Sequence, residues 1–308
     1  MPSDRLTTRR TPSTATLATL ALLAMTAVWG STFILIKDLL DRVPTLDFLA
    51  VRFLVAGVVM LVVAPRAIGR LSPLARRRGI VVGGLYGVAQ ILQTAGLAHT
   101  AASVSGFVTG LYVVATPLLA AVLLRTRLTA WTWGAVALAT TGLGTLTLDG
   151  LAIGYGEAIT LVAAVLYALH IVALGAWSTV DDALGLSILQ LLVIAVICLV
   201  ATVPDGVVLP ATTADWVSIV YMAVVAGAAA LIAQTWAQAH LAPTRAAIVM
   251  SMEPVFAATF AVGLGGESVT WRLLAGGAMV VTAMVVVEAG PRRTAQGPDP
   301  GDVQHLAV

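Results

Sequence analysis

Charge is scarce in this 308-residue chain: Asp, Glu, Lys and Arg make up 10%, against 59% hydrophobic residues. Soluble domains carry about 25% charged residues, so this chain cannot clothe a soluble surface and reads as an integral membrane protein. Cysteine is nearly absent. The single Cys198 lies in an apolar run, which excludes an internal disulfide. No His/Cys/Asp/Glu cluster has metal-ligand spacing, so no metal and no cofactor is expected. A phosphate-binding Gly-x-x-x-x-Gly-Lys-Ser/Thr is also missing, as is any soluble domain that would hydrolyse ATP, which argues against a self-contained pump. Nor is there the set of facing carboxylates or Ser/His at one depth that an intramembrane enzyme needs. Period-2 alternation is lacking too, so helices are favoured over a barrel.

What is there is a series of long apolar runs. Ten spans are expected, each near the ~20 residues that cross a bilayer. They run about Leu17–Ile36, Leu46–Pro65, Gly79–Ala98, Val104–Leu124, Trp131–Leu148, Gly156–Ala176, Leu184–Val203, Asp215–Ala237, Ala246–Leu264 and Trp271–Ala289. The basic N-terminus precedes an apolar run that continues into further spans, so no cleavable leader is expected. Trp131, Trp133, Trp216 and Trp271 fall at span ends and read as interface anchors.

Ten spans put both termini on one side. With the N-terminus inside, 13 basic residues fall on inside segments, among them Arg66, Arg70, Arg76, Arg77 and Arg78, and only three (Lys37, Arg42, Arg272) outside. This is the positive-inside bias; it accounts for the formal charge of +2 without nucleic acid. The expected location is a bacterial inner membrane with cytoplasmic termini. The tails, 1–15 and 292–308, read as cytoplasmic, and the second as disordered.

A repeat organises the interior. Ala89–His99 and Ala230–His240 agree at six of eleven positions, including Gln93/Gln234, Thr94/Thr235 and His99/His240. Trp29 precedes Arg52 by 23 residues, as Tyr167 precedes Gln190. The halves are therefore 16–150 and 151–291. Five spans in each force the second copy to enter from the opposite side, so the repeats are inverted, an architecture of alternating-access transporters. His99 and His240 then mark helix ends at opposite faces.

Further pieces resemble a known family. These are Ala27-Val-Trp-Gly-Ser-Thr-Phe33, Arg52-Phe53, Ser105-Gly-Phe-Val-Thr-Gly-Leu-Tyr-Val-Val-Ala-Thr-Pro117 and Ala168-Leu-His-Ile-Val172. Gln234-Thr-Trp-Ala-Gln238 and Met252-Glu-Pro-Val-Phe-Ala257, leading to Gly266-Glu267, complete the series. In this order they resemble the drug/metabolite transporter superfamily, in particular the ten-helix EamA-type permeases. The resemblance covers Ala18–Glu288 and implies an all-α membrane protein that transports small polar metabolites, often amino acids or related compounds and often outward. Where the first repeat of the family often has Gly-Glu, this chain has Arg125-Thr-Arg127, which puts a coupling role for Glu267 in doubt. The alternative is a flippase or intramembrane enzyme acting on a lipid-linked substrate.

Candidate site residues follow from polarity within the spans. Tyr86, Gln90 and Gln93 share one helical face, Gln234 and Gln238 another. If the repeats are inverted, these faces meet between the halves, where they either line a site near the membrane midplane or hydrogen-bond helix to helix. Trp29, Tyr112, Tyr167 and Trp236 either wall such a site or pack. Ionisable groups in spans need a reason. Arg52 lies six residues in from Leu46 and either snorkels and pairs structurally or meets a substrate anion. Glu253 satisfies amides at a helix break, binds a cation or carries a proton. His170 either bonds a neighbouring helix's carbonyl or serves the site. Pro117 and Pro254 are expected helix breaks, as passive kinks or as hinges. Gly83/Gly87 and Gly106/Gly110 allow close helix approach. The expected partners are a small-molecule substrate and the lipid bilayer, with a homodimer open.

Overall fold

The computed structural model describes residues 13–100, 102–125, 128–147, 154–202, 206–265 and 268–289. Residues 1–12 of the N-terminal tail, the C-terminal tail, the expected boundary at 150/151, Arg127 and Gly266-Glu267 lie outside the described residues; 13–15, expected in the tail, cap and begin α1. The helices are α1 (Thr14–Leu40), α2 (Thr45–Val63), α3 (Pro73–Ala98), α4 (Ala102–Gly110 continuing as Tyr112–Leu123) and α5 (Ala130–Thr147). After these come α6 (Tyr155–Trp177), α7 (Ala183–Thr202), α8 (Thr213–Gln238), α9 (Pro243–Met250 continuing as Glu253–Gly265) and α10 (Trp271–Ala289). A single helical turn, Ala67–Arg70, links α2 to α3.

Among the described residues, eight helices, α1–α4 and α6–α9, are long and apolar enough to cross a membrane. α5 and α10 fall outside that count and pack along each other. Their apolar contacts form a peripheral cluster with α4 and α9, built on Phe107, Val113, Ala135, Ala139, Ile248, Ala258 and Val280. Large aliphatic side chains stand exposed on the outer faces, among them Val62, Val122, Val200 and Leu264. In water such surface would be driven inward; against lipid it carries no penalty.

Local chemistry sets the helix starts. The Ser13, Ser72 and Thr212 hydroxyls accept from the amides of Thr16, Ala75 and Asp215, capping α1, α3 and α8. Pro73 and Pro243 occupy first-turn positions, where a missing N–H costs nothing.

The main packing is between halves. α3 lies along α6 and α7, α2 along α7 and α8, α1 along α8 and α9, and α4 along α6 and α9. Glycine permits the closest approaches. A Cβ on Gly96 would sit 2.7 Å from the Gly156 carbonyl oxygen, and one on Gly83 would sit 3.0 Å from the Gln190 Cα.

At one end of the bundle, residues at and after the C-terminal turn of α1 hold two other helices. The Lys37 ammonium donates to the carbonyls of Leu97 (2.9 Å) and Thr100 (3.0 Å), capping the end of α3. Arg42 donates to Asp215 (2.7 Å) at the start of α8 and to Asp38 (2.6 Å). Hydrogen bonds to Asp38 and then Asp215 raise the Arg42 guanidinium further above its ordinary pKa. Thus α3 ends where α8 begins.

The helix irregularities differ from expectation. In α4 the interruption falls at Leu111, six residues before Pro117, which sits inside the second segment. In α9 it falls at Ser251-Met252, immediately before Glu253 and Pro254. A third, in α8, is a π-helical turn over Val224–Ala229.

Candidate functional site

The π turn of α8 widens the helix, and carbonyls in it and just before it meet donors from outside the helix. Two side chains from the first half supply them. Trp29 Nε1 donates to the Ala226 carbonyl at 2.7 Å, and Arg52 Nε to the Met222 carbonyl at 3.2 Å. Arg52 is therefore turned inward, not outward. It is 2% exposed, with its guanidinium carbon 5.1 Å from the centre of the Phe53 ring and 5.9 Å from that of Phe48. The expected snorkelling is corrected by this geometry: a neighbouring helix offers a carbonyl at the depth where the side chain starts.

Trp29 and Arg52 both line a cavity between the halves. Tyr86, Gln90, Gln93, Tyr112, Tyr167, His170, Gln234 and Glu253 line it too. It holds about 590 Å³ of empty space, mouth included, but only about 40 Å³ admits the centres of water-sized molecules. One water needs roughly 10–15 Å³ by that measure, so the cavity is a narrow cleft with room for a few waters.

Hydrogen bonds join its walls. Gln93 is used at both ends of its amide: Oε1 accepts from the Tyr167 hydroxyl (2.7 Å) and Nε2 donates to Thr109 (3.0 Å). Gln90 Nε2 donates to the Tyr86 hydroxyl at 3.1 Å. Tyr86 stacks on the His170 ring at 4.9 Å, and its centroid is 5.8 Å from that of Tyr167. His170 Nε2 pairs with Gln190 Oε1 at 2.7 Å. Because Gln190 Nε2 donates to the Leu186 carbonyl, its oxygen accepts, and His170 carries its proton on Nε2. The partner is thus a side-chain amide rather than the expected main-chain carbonyl.

Glu253 starts the second segment of α9, 6% exposed, with the Tyr112 hydroxyl 3.5 Å from Oε2. No basic side chain lies within 4.0 Å of it among the described residues. Gln234 is 1% exposed, and among the described residues its Oε1 has no hydrogen-bond partner. Gln93 and Gln234 line the same cavity without bonding to each other. Each lies four or five residues before the last residue of its helix, so they enter the wall from opposite ends of the bundle.

Other expected site residues fall outside the cavity wall. Gln238 is buried one turn beyond Gln234, its Nε2 4.0 Å from the Met250 sulfur. Trp236 packs on His240, whose Nδ1 lies 2.9 Å from the Trp236 carbonyl oxygen. His99 caps α3 and meets the Tyr155 ring edge-on. Pro117 and Pro254 do not line the cavity. Among the described residues, no three His, Cys, Asp or Glu gather as a metal site. Sequence reasoning missed Thr32, Thr94, Thr109 and Met250 in the wall. Thr94, beside Gln93 in the repeat, and Thr109, one residue from the Gly110 that marked its helix, were the detectable ones. The π turn has no sequence signal, since Val-Val-Ala-Gly-Ala-Ala suits an α-helix as well.

Comparison with known proteins accords with this geometry. The model of the EamA-like transporter family matches twice, over residues 16–148 and 154–288. An uncharacterized transporter of Archaeoglobus fulgidus is 26% identical over 269 residues, 84% of this chain and 82% of that protein. A solved crystal structure at 17% identity superposes with a TM-score of 0.72, covering 91% of this chain and 99% of the other, and so shares the fold. With two family matches spanning nearly all of its helices, the protein belongs to the EamA-like transporter family and is a multi-pass membrane transporter.

Proposed function

We propose that the protein is a secondary transporter, working as an exporter, of small polar metabolites such as amino acids or related compounds. The observation that carries this reading is the narrow cleft walled by α1–α4 from one half and α6, α8 and α9 from the other. Its wall offers amides, phenols, one guanidinium and one carboxylate, the groups that hydrogen-bond a small polar solute. A cleft this narrow has to open for each molecule, and packing between halves allows one half to rock against the other.

The reading includes ten spans in two inverted five-helix repeats. Two features support inversion: α3 ends where α8 begins, and the pairing of α3 with α6 recurs as α8 with α1. The arginine bias supports cytoplasmic termini in a bacterial inner membrane. Glu253 and His170 are the candidates for proton coupling.

Uptake by proteoliposomes of a mixture of the twenty common amino acids tests the reading. Accumulation above empty liposomes, lost in Gln234→Ala protein that still folds, is the expected result. Equal accumulation with and without the protein would overturn it.

A further inference from the structure

We infer that Arg52 is the anion anchor of the cavity and that the molecules carried bear a carboxylate; this rests on the transporter reading above. Arg52 is a buried cation without a counter-charge. No carboxylate lies within 4.0 Å of it among the described residues, and its only hydrogen bond there is from Nε to the Met222 carbonyl. Its terminal nitrogens, Nη1 and Nη2, have no hydrogen-bond partner in that set. A charge inside a membrane protein is costly unless something answers it. The Phe48 and Phe53 rings and one carbonyl answer part of it and hold the side chain in place. What remains unanswered is the two-nitrogen fork of the guanidinium, on a side chain that lines the cleft. That fork matches a carboxylate in geometry and in charge.

The π turn of α8 fits this role. The Ala226 carbonyl within the turn holds Trp29, and the Met222 carbonyl just before it holds Arg52, so the anchor is fixed before any ligand arrives. Preorganisation of this kind lowers the ordering cost of binding. The repeat sharpens the argument. Gln190, at the position corresponding to Arg52 in the second half, is neutral, and its amide is used at both ends by His170 and the Leu186 carbonyl. The positive charge is confined to one half, which gives the cleft one anion subsite. Glu253 lines the same cleft without pairing to Arg52, leaving that subsite open.

The test uses full-length protein in proteoliposomes and two equimolar mixtures. One holds the twenty common amino acids with small mono- and dicarboxylates; the other holds the matching primary amides. Wild-type protein is expected to accumulate acids over the matching amides by about tenfold or more, since a site built for a polar group rejects the analogue lacking it. Arg52→Gln should abolish that preference, and Arg52→Lys should keep part of it. The wild-type comparison of acids with amides does not depend on either variant folding. Equal accumulation of acids and amides would overturn the anchor while leaving the transporter reading intact, as would unchanged acid transport in Arg52→Gln. Failure to accumulate any compound of either mixture would count against the transporter reading itself, and the anchor with it.

Discussion

Ala89–His99 on α3 and Ala230–His240 on α8 share six of eleven residues, yet they have spent their polarity differently. On α3 the helix is continuous, and Gln93 is bonded at both ends to Tyr167 and Thr109. On α8 the same position follows a π turn, and Gln234 Oε1 and Gln238 Oε1 are buried without partners. The crossings differ too. Gly96 lets α3 touch the backbone of α6, whereas its counterpart on α8 is Ala237. One copy has become structural cement, and the other keeps unused acceptors, one of them on the wall of the cleft. Duplication preserved where these residues sit, and their neighbours decided what they do.

The contrast can be broken at several points. The largest effect is expected at the crossing. Gly96→Val drives side-chain carbons into the Gly156 carbonyl and Thr160, costing about 2–3 kcal/mol or more, because backbone cannot move aside as a side chain can. Ala237→Gly on the other copy should cost only about 0.5–1 kcal/mol. Reversible unfolding in mixed micelles compares the two.

Next comes the glutamine pair. Gln93→Leu strands the Tyr167 hydroxyl and should cost about 1–2 kcal/mol. Gln234→Leu removes no bonded partner, so its stability should stay within about 0.5 kcal/mol of wild type. A larger loss in Gln234→Leu than in Gln93→Leu would erase the distinction between the copies.

The smallest effects are expected where α1 holds the two helices. Lys37→Gln uncaps the end of α3 and should cost about 1 kcal/mol. Arg42→Gln removes a more exposed pair and should cost less, with the cost falling further at high salt. Melting curves at two ionic strengths separate them.

Much of this was legible in the sequence because the membrane simplifies the code. Long apolar runs have one stable form there, and a polar residue inside one stands out. Hence Trp29, Tyr86, Gln90, Gln93, Tyr112, Tyr167, His170 and Gln234 could be named before any geometry was known, and all of them line the cleft. Partners were less legible. That Gln238 lies off the cleft depends on how α8 is rotated, which a π turn alters without changing composition. The inward turn of Arg52 goes with a carbonyl offered by a helix distant in sequence. The break in α4 lies at Leu111, six residues before Pro117. Long-range hydrogen bonds of this kind leave no local pattern.

The central claim is that transport passes through the cleft between the halves. Its most direct test is uptake of the amino acid and carboxylate mixture by proteoliposomes carrying Gln234→Leu, alongside its melting temperature. The account predicts melting close to that of wild type with uptake reduced about tenfold or more, since an unpaired buried acceptor on the wall is lost while the fold is not. Wild-type uptake in a normally folded Gln234→Leu protein would contradict it.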